Sequence, residues 1–211
     1  MAAAQRLIDP TRLATLLGQH QRQLPVLAEK VVYKGWRDVI KRTVQFPDGR
    51  PVTFDVTVAP PAVLVLPWCT KTKTMTLLKE YCPGINRMGV FTVVAGLFEE
   101  KHKNAEECVR WETEEEAQLR GGKLVPIMEN ENLLLPGAKN TGQKYLPYIV
   151  LDAEKVSDPR QADDDELIQP VHGVTVDEAL WLVTHGHVTS TSCMMVLLAL
   201  NKLKSMRQIE A

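Results

Sequence analysis

Three glutamates, Glu112, Glu115 and Glu116, stand close together in a segment that is predicted to form one helix. Residues three and four apart lie on the same side of a helix, so the three carboxylates can point at one place. Carboxylate oxygens are preferred ligands of Mg²⁺ and Mn²⁺, which commonly bridge to substrate phosphates. The spacing therefore indicates a divalent-cation site, although an acidic helix face that is merely solvated fits the same residues.

The helix that carries these glutamates is predicted to begin at Asn104 and to run to about Leu119. Asn104 is a good N-cap, because its side-chain oxygen can accept hydrogen bonds from the free amides of the first turn. The pair Gly121-Gly122 is predicted to stop the helix. A strand over residues 90–94 precedes it and is expected to end at Ala95-Gly96.

The remaining pattern predicts a mixture of strands with few helices. Short helices are expected after Asp9-Pro10 and from Val176, and a longer apolar helix over residues 191–203. A hairpin is predicted around Pro47-Asp48-Gly49. The predicted strands cover residues 39–46, 51–58, 62–66, 75–79, 124–128, 133–135 and 145–151.

Length and composition are those of an ordinary globular protein. The 211 residues carry a formal net charge of -1, with 45% hydrophobic and 24% charged residues. No overall field attracts the chain to nucleic acid or to anionic lipid. The longest apolar stretch, residues 193–200, is far shorter than the roughly 20 residues that a membrane-spanning helix needs. We therefore expect neither a membrane nor a nucleic acid as partner.

Four widely spaced cysteines, Cys69, Cys82, Cys108 and Cys193, show no zinc-type or redox-type pairing. They are expected to be reduced thiols of an intracellular protein, which favours the cytoplasm. Residues 1–24 contain three arginines and one acid, which gives an organelle such as the mitochondrion as the alternative.

The segment after Gly96 resembles the signature of the Nudix hydrolases. That signature is Gly, five residues, Glu, seven residues, Arg-Glu, an aliphatic residue, any residue, Glu-Glu, any residue and Gly. A strict count from Gly96 places Trp111 on a metal-binding glutamate, and only Glu114-Glu115 fit. With one extra residue in the loop 101–103, all three metal-type glutamates fit. We prefer this second register, because a loop tolerates an insertion and a helix face does not tolerate a rotation of about 100°.

The second register still departs from the signature at three positions. Trp111 stands for the Arg, Thr113 for the aliphatic residue and Gln118 for the closing Gly. Loss of the Arg removes a charge that would orient the neighbouring glutamates. A catalytically degenerate Nudix-fold protein that binds nucleotides or serves as a scaffold is therefore the alternative to a hydrolase.

The resemblance extends over residues 48–202 and points to the ADP-ribose and ADP-sugar pyrophosphatase branch. It implies an α+β class, with a Nudix α/β/α sandwich around a mixed β-sheet and an N-terminal β-rich extension. The expected domains are residues 1–58, the extension, and residues 59–205, the Nudix domain. Branch members pair through N-terminal strands, which implies a homodimer through residues 31–58. The matching pieces are residues 62–66, 77–81, 93–99, 136–137, 163–168 and 176–180.

The same resemblance assigns roles to individual residues. It implies hydrolysis, with Mg²⁺ or Mn²⁺, of a nucleoside diphosphate linked to another group, such as ADP-ribose or a nucleotide sugar. The products are a nucleoside monophosphate and a sugar phosphate. Cys82 stands where the branch usually has Arg, so the grip on phosphate differs. The implied metal ligands are Ala95, Glu112, Glu115 and Glu116, the catalytic residues Glu115, Asp164 and Glu166, and the substrate-binding residues Lys79, Pro136 and the base-stacking candidate Trp36.

Overall fold

The computed structural model describes residues 9–17, 23–129, 134–161 and 166–210, and every structural statement below concerns these residues. The chain divides into two compact units, Met1–Thr57 and Val58–Ala211. Most of the arginine-bearing segment 1–24 lies outside the described residues. None of the described helices is long and apolar enough to cross a membrane.

The first unit holds a short helix and a three-stranded sheet. Helix α1 spans Pro10–Leu17, and strands β1 (Val26–Tyr33), β2 (Asp38–Gln45) and β3 (Pro51–Val58) pair in that order. The predicted hairpin is confirmed as β2 and β3. Its turn is closed by the Phe46 amide, which donates to the Arg50 carbonyl, and by the Gly49 amide, which donates to the Phe46 carbonyl, both at 2.9 Å. Gly49 has a φ of 86°, which favours glycine. Strand β1 is absent from the sequence prediction, because all eight of its residues are exposed and show no buried face.

The second unit is built on an eight-stranded mixed sheet. Its central path runs β10-β11-β4-β5-β13, with β6 on β5, β7 on β4 and β9 on β11. Strands β11 and β4 are parallel, and the other pairs are antiparallel. The strands are β4 (Ala62–Cys69), β5 (Thr74–Cys82), β6 (Arg87–Thr92), β7 (Val94–Leu97), β8 (Leu119–Arg120), β9 (Lys123–Pro126), β10 (Leu135–Pro136), β11 (Lys144–Leu151), β12 (Glu154–Lys155) and β13 (Ile168–Thr175). The helices are α2 (Ala105–Glu115), α3 (Val176–Thr184) and α4 (Ser190–Ser205), and β8 pairs with β12 in a small separate sheet.

Helices cover both faces of this sheet. Val63 and Val65 of β4 pack in one cluster with Cys108 and other residues on the α2 side. Leu64 and other β4 residues, whose side chains alternate with those of Val63 and Val65, pack in another cluster with Met195 on the α4 side. Because successive side chains of a strand point to opposite faces, one continuous apolar run serves both layers. The expected α/β/α sandwich of the α+β class is confirmed.

Two predicted elements have wrong bounds, and one strand of the eight-stranded sheet is missing from the prediction. The strand expected over residues 90–94 is two strands that separate at Val93, whose amide donates to Ser192 Oγ at 3.1 Å. Helix α2 ends at Glu115 rather than near Leu119, because Gln118 takes a left-handed φ of 56° before the glycine pair is reached. Strand β13 is missing from the prediction, although it pairs with β5 along most of its length.

Candidate functional site

Helix α2 is fixed at its start by the predicted cap. The Asn104 side chain accepts from the amide of Glu107 at 2.9 Å, and the Glu107 carboxylate accepts from the amide of Lys103 at 2.6 Å. One side of the helix buries Cys108 and Val109 completely. Cap and buried side together set the rotation of the helix, and therefore the directions in which its glutamates point.

Two of the predicted glutamates lie against strand β7 where it passes through Ala95 and Gly96. The Glu116 carboxylate accepts a hydrogen bond from the Ala95 amide at 2.9 Å. The side chain of Glu112 occupies the space beside Gly96, where an added Cβ would overlap it. Gly96 therefore supplies room for a carboxylate rather than an unusual backbone angle.

The Glu116 carboxylate is held in a strongly acidic environment. Glu116 is only 5% exposed. Burial raises its pKa well above the ordinary value, and the negative charges of Glu112, Glu166 and Glu80 raise it further, against the lowering effect of the Ala95 amide. Converging carboxylates with a raised pKa are the donor set that a divalent cation stabilises. Glu112 and Glu116 fit such a cation by this criterion.

The other predicted acids, Glu115, Glu166 and Asp164, have fewer described contacts than Glu112 and Glu116. Glu115 is the last residue of α2 and is half-buried, three residues after Glu112 on the same side of the helix. Glu166 is exposed, and its charge acts on Glu116. Asp164 lies outside the described residues.

Glu114 and Trp111 point elsewhere. Glu114 is buried and accepts two hydrogen bonds from the Arg120 guanidinium, both at 2.8 Å, with Arg160 at 3.6 Å. The Trp111 ring lies under Arg160, 3.9 Å from its guanidinium carbon to the ring centroid, and meets His102 edge to face at 5.8 Å. The indole is therefore engaged with these two side chains, whereas Glu112 lies beside Gly96, as the register with an extra loop residue predicts.

The predicted substrate-binding residues Lys79, Pro136 and Trp36 lie in separate parts of the structure. Lys79 alternates with Leu78, which packs on the α2 side, so it projects from the other face of the sheet, with its ammonium 5.2 Å from the Phe91 ring centroid. Pro136 is exposed on the short strand β10. Trp36 belongs to the first unit, is 76% exposed and carries the Arg37 guanidinium over its ring, so it is not a core tryptophan.

Sequence reasoning missed Glu80 as a member of the acidic group. It shares the parity of Leu78 in β5 and therefore faces the α2 side of the sheet. Burial raises its pKa, and its charge adds to the raised pKa of Glu116. The available signal was an acid directly after a buried strand interior, two residues from Leu78.

Comparison with known proteins places this geometry in a family. A solved structure, "Crystal structure of ADP compounds hydrolase", matches with a TM-score of 0.73 at 16% identity, covering 89% of this chain and 98% of that one. No curated protein sequence matches the chain. The family model for the NUDIX domain matches residues 58–191, which include β4, the Ala95-Gly96 strand and the glutamate helix. With that match over more than half of its length, the chain belongs to the NUDIX family, whose hydrolases generally use divalent metal ions.

Proposed function

We propose that this protein is a divalent-metal-dependent pyrophosphohydrolase. It cleaves a nucleoside diphosphate linked to another group into a nucleoside monophosphate and a sugar phosphate. The observation that carries the proposal is the convergence of Glu112 and Glu116 on Ala95-Gly96, in an acidic environment that raises the pKa of Glu116. Without a cation, carboxylates that lie this close together repel one another, and Mg²⁺ or Mn²⁺ bound between them removes that repulsion.

Each residue has a distinct part in this reaction. Glu112, Glu115 and Glu116, with the Ala95 carbonyl, hold the cation, and Gly96 leaves room for Glu112. When bound there, a divalent cation would neutralise the diphosphate and would stabilise the charge that develops on it. Water attacks one phosphorus, the anhydride P–O bond breaks, and the proton of the water passes to a carboxylate.

The carboxylate that receives this proton is proposed from Glu115, Asp164 and Glu166. Glu166 has support from its charge, which acts on Glu116 and therefore reaches the acidic group. Its exposed position also leaves it accessible to water. For Asp164 and Glu115 the support is the family signature and its neighbouring acidic loop.

ADP-ribose and nucleotide sugars are the proposed substrates, with Mg²⁺ or Mn²⁺ as the metal. The support is the fold shared with a structure named as an ADP compounds hydrolase and the sequence resemblance to the ADP-sugar branch. Trp36 offers an exposed indole for a base. Lys79 and Pro136 remain proposed contacts to the substrate.

The test is release of nucleoside monophosphate from ADP-ribose, nucleotide sugars and dinucleoside diphosphates, with Mg²⁺, Mn²⁺ or chelator. Glu116→Gln should lower the rate by about 100-fold or more, because loss of a cation ligand removes several kcal/mol of transition-state stabilisation. Glu106→Gln is the matched control, since Glu106 is exposed in the first turn of the same helix. It should behave like the parent.

A parent protein that releases no more monophosphate than Glu116→Gln overturns the hydrolase proposal. In that case the degenerate, nucleotide-binding or scaffold function is the remaining one, and equilibrium binding of the same compounds measures it. The side chain beside Gly96 is that of Glu112, and the Trp111 ring is covered by Arg160, which favours the hydrolase.

The three-stranded sheet of the first unit is proposed to pair with a second copy of the chain. Its strand β1 exposes Val26, Leu27, Val31, Val32 and Tyr33, and exposed apolar strands are suited to association. Light scattering coupled to size exclusion should give twice the mass of 23.7 kDa. A mass of one chain at all concentrations contradicts the pairing.

A further inference from the structure

A second group of potential ligands lies beside the carboxylate pair, and we call it the mixed trio: His102, Cys108 and Glu112. One ring nitrogen of His102, the Sγ of Cys108 and one carboxylate oxygen of Glu112 lie within 4.8 Å of one another. Nitrogen and sulfur donors suit borderline ions such as Zn²⁺ and Co²⁺, whereas Mg²⁺ takes oxygen ligands. The chemistry of the mixed trio thus differs from that of the glutamates alone.

His102 presents a buried ring nitrogen that the described residues do not satisfy. The residue is 4% exposed, and its Nδ1 accepts from the Glu99 amide at 3.2 Å. Its Nε2 is buried and finds no hydrogen-bond partner in the described parts of the chain. A buried polar atom without a partner destabilises the folded state. A ligand at Nε2 would remove that destabilisation.

Neighbouring side chains hold the His102 ring in place and keep it neutral. Phe98 stacks on it at 6.2 Å, and Trp111 meets it edge to face at 5.8 Å. Burial lowers the pKa of His102, and the charge of Lys101 lowers it further, while Glu99 and Glu107 oppose the shift. Lys101 is itself paired with Glu99 at 2.9 Å. A neutral imidazole is the form that binds a metal ion.

The Cys108 thiol makes one weak hydrogen bond. It is completely buried, and its Sγ donates to the Leu97 carbonyl at 3.6 Å. Burial raises the pKa of Cys108 to about 12, so the thiol keeps its proton until a cation replaces it. Glu112 is half-buried and contributes the negative charge.

We propose that the mixed trio binds one Zn²⁺-type ion through His102 Nε2, Cys108 Sγ and a Glu112 oxygen, with the fourth position left to water. Ligand distances of about 2.0–2.3 Å require small side-chain movements. Binding releases the thiol proton to solvent and moves the ring proton of His102 to Nδ1, in place of the bond from the Glu99 amide. This inference goes beyond the proposed function but shares Glu112 with it, so a bound Zn²⁺ withdraws that carboxylate from the Mg²⁺ site.

Co²⁺ is the probe, because a thiolate ligand gives Co²⁺ a strong near-ultraviolet charge-transfer band that oxygen ligands alone do not give. The full chain, freed of metal and kept reduced with a phosphine, is titrated with Co²⁺ at neutral pH. We expect the band to appear in the parent and to disappear when Zn²⁺, which binds more tightly and is colourless, displaces Co²⁺. A parent without the band overturns the proposal.

Three variants assign the band to the mixed trio. Cys108→Ser should abolish it, and His102→Gln should weaken Co²⁺ binding by at least about 10-fold, the lower end of the loss seen even for outer-shell partners. Cys193→Ser is the matched control, because that thiol also donates to a backbone carbonyl, that of Val188 at 3.5 Å. A band that persists in Cys108→Ser overturns the proposal. Should that variant fail to fold by circular dichroism, unchanged Co²⁺ affinity in His102→Gln overturns it equally.

The two proposals fail separately. A parent that hydrolyses ADP-ribose with Mg²⁺ but shows no band contradicts the mixed trio alone. A parent that shows the band, with the variant pattern above, but no hydrolysis contradicts the pyrophosphohydrolase alone.

Discussion

Replacing Gly96 by alanine tests whether the position of Glu112 matters to the chemistry. The added Cβ would overlap Glu112 Cγ, Cδ and Oε1, well inside the 3.0 Å that real Cβ contacts essentially never cross. The carboxylate therefore has to retreat, and a misplacement of about 1 Å can cost about 100-fold in rate. That factor corresponds to about 2.7 kcal/mol in the transition state. The fold should persist, because the overlapping group is the end of a flexible side chain rather than backbone.

The measurement is kcat/KM for ADP-ribose with Mg²⁺, together with Mn²⁺ affinity by electron paramagnetic resonance. Gly84→Ala is the matched control, since a Cβ at Gly84 meets nothing within 4 Å. We expect both quantities to fall in Gly96→Ala and neither to fall in Gly84→Ala. A folded Gly96→Ala protein with the rate and the Mn²⁺ affinity of the parent refutes the reasoning about Glu112.

Three further outcomes are expected. Gln118→Gly should raise the free energy of unfolding by about 1 kcal/mol, because Gln118 has a φ of 56°; a lower urea midpoint contradicts this. The raised pKa of Glu116 contributes stability that is full below its unfolded pKa and is lost as pH rises through the folded pKa. Without metal, Glu116→Gln should therefore lose less stability than the parent between acid and neutral pH, and equal pH slopes refute it. The Arg120 hydrogen bonds lower the pKa of Glu114, so the stability that they contribute is present above the unfolded pKa of 4.5 and is lost as the pH falls through the folded pKa. The difference in melting temperature between the parent and Glu114→Gln should therefore shrink in acid, and a difference that stays constant contradicts this.

The central sheet could be predicted because its sequence signal is strong. Residues 62–66 form a continuous apolar run, and the structure buries every residue of β4 from Ala62 to Trp68. Strand β13 could not be predicted in the same way. It mixes Gln169, Pro170 and Gly173 with apolar residues, and most of its residues are only half-buried or exposed. Its pairing with β5 comes from the tertiary structure rather than from a local pattern.

The candidate site divides along the same line. The helix cap at Asn104 and the i, i+4 relation of Glu112 and Glu116 are local, so their geometry follows from the sequence. The nearness of Glu80 to those glutamates depends on which strands neighbour each other, and a contact between distant segments carries no local spacing. Within the mixed trio, Cys108 and Glu112 are also i, i+4 on helix α2, whereas the position of His102 is set by the path of the irregular loop before the helix, which no periodic pattern predicts.

The interruption of the sheet at Val93 links two layers of the molecule. Ser192 Oγ accepts from the Val93 amide at 3.1 Å and from the Thr189 hydroxyl at 2.9 Å, so the first turn of α4 anchors the start of β7. Ala95 and Gly96 follow two and three residues later. A designer who transplants the glutamate helix and its strand into another scaffold must bring along an acceptor for this amide. Equally, repacking α4 for stability will shift the strand that places Ala95 and Gly96 beside Glu116 and Glu112.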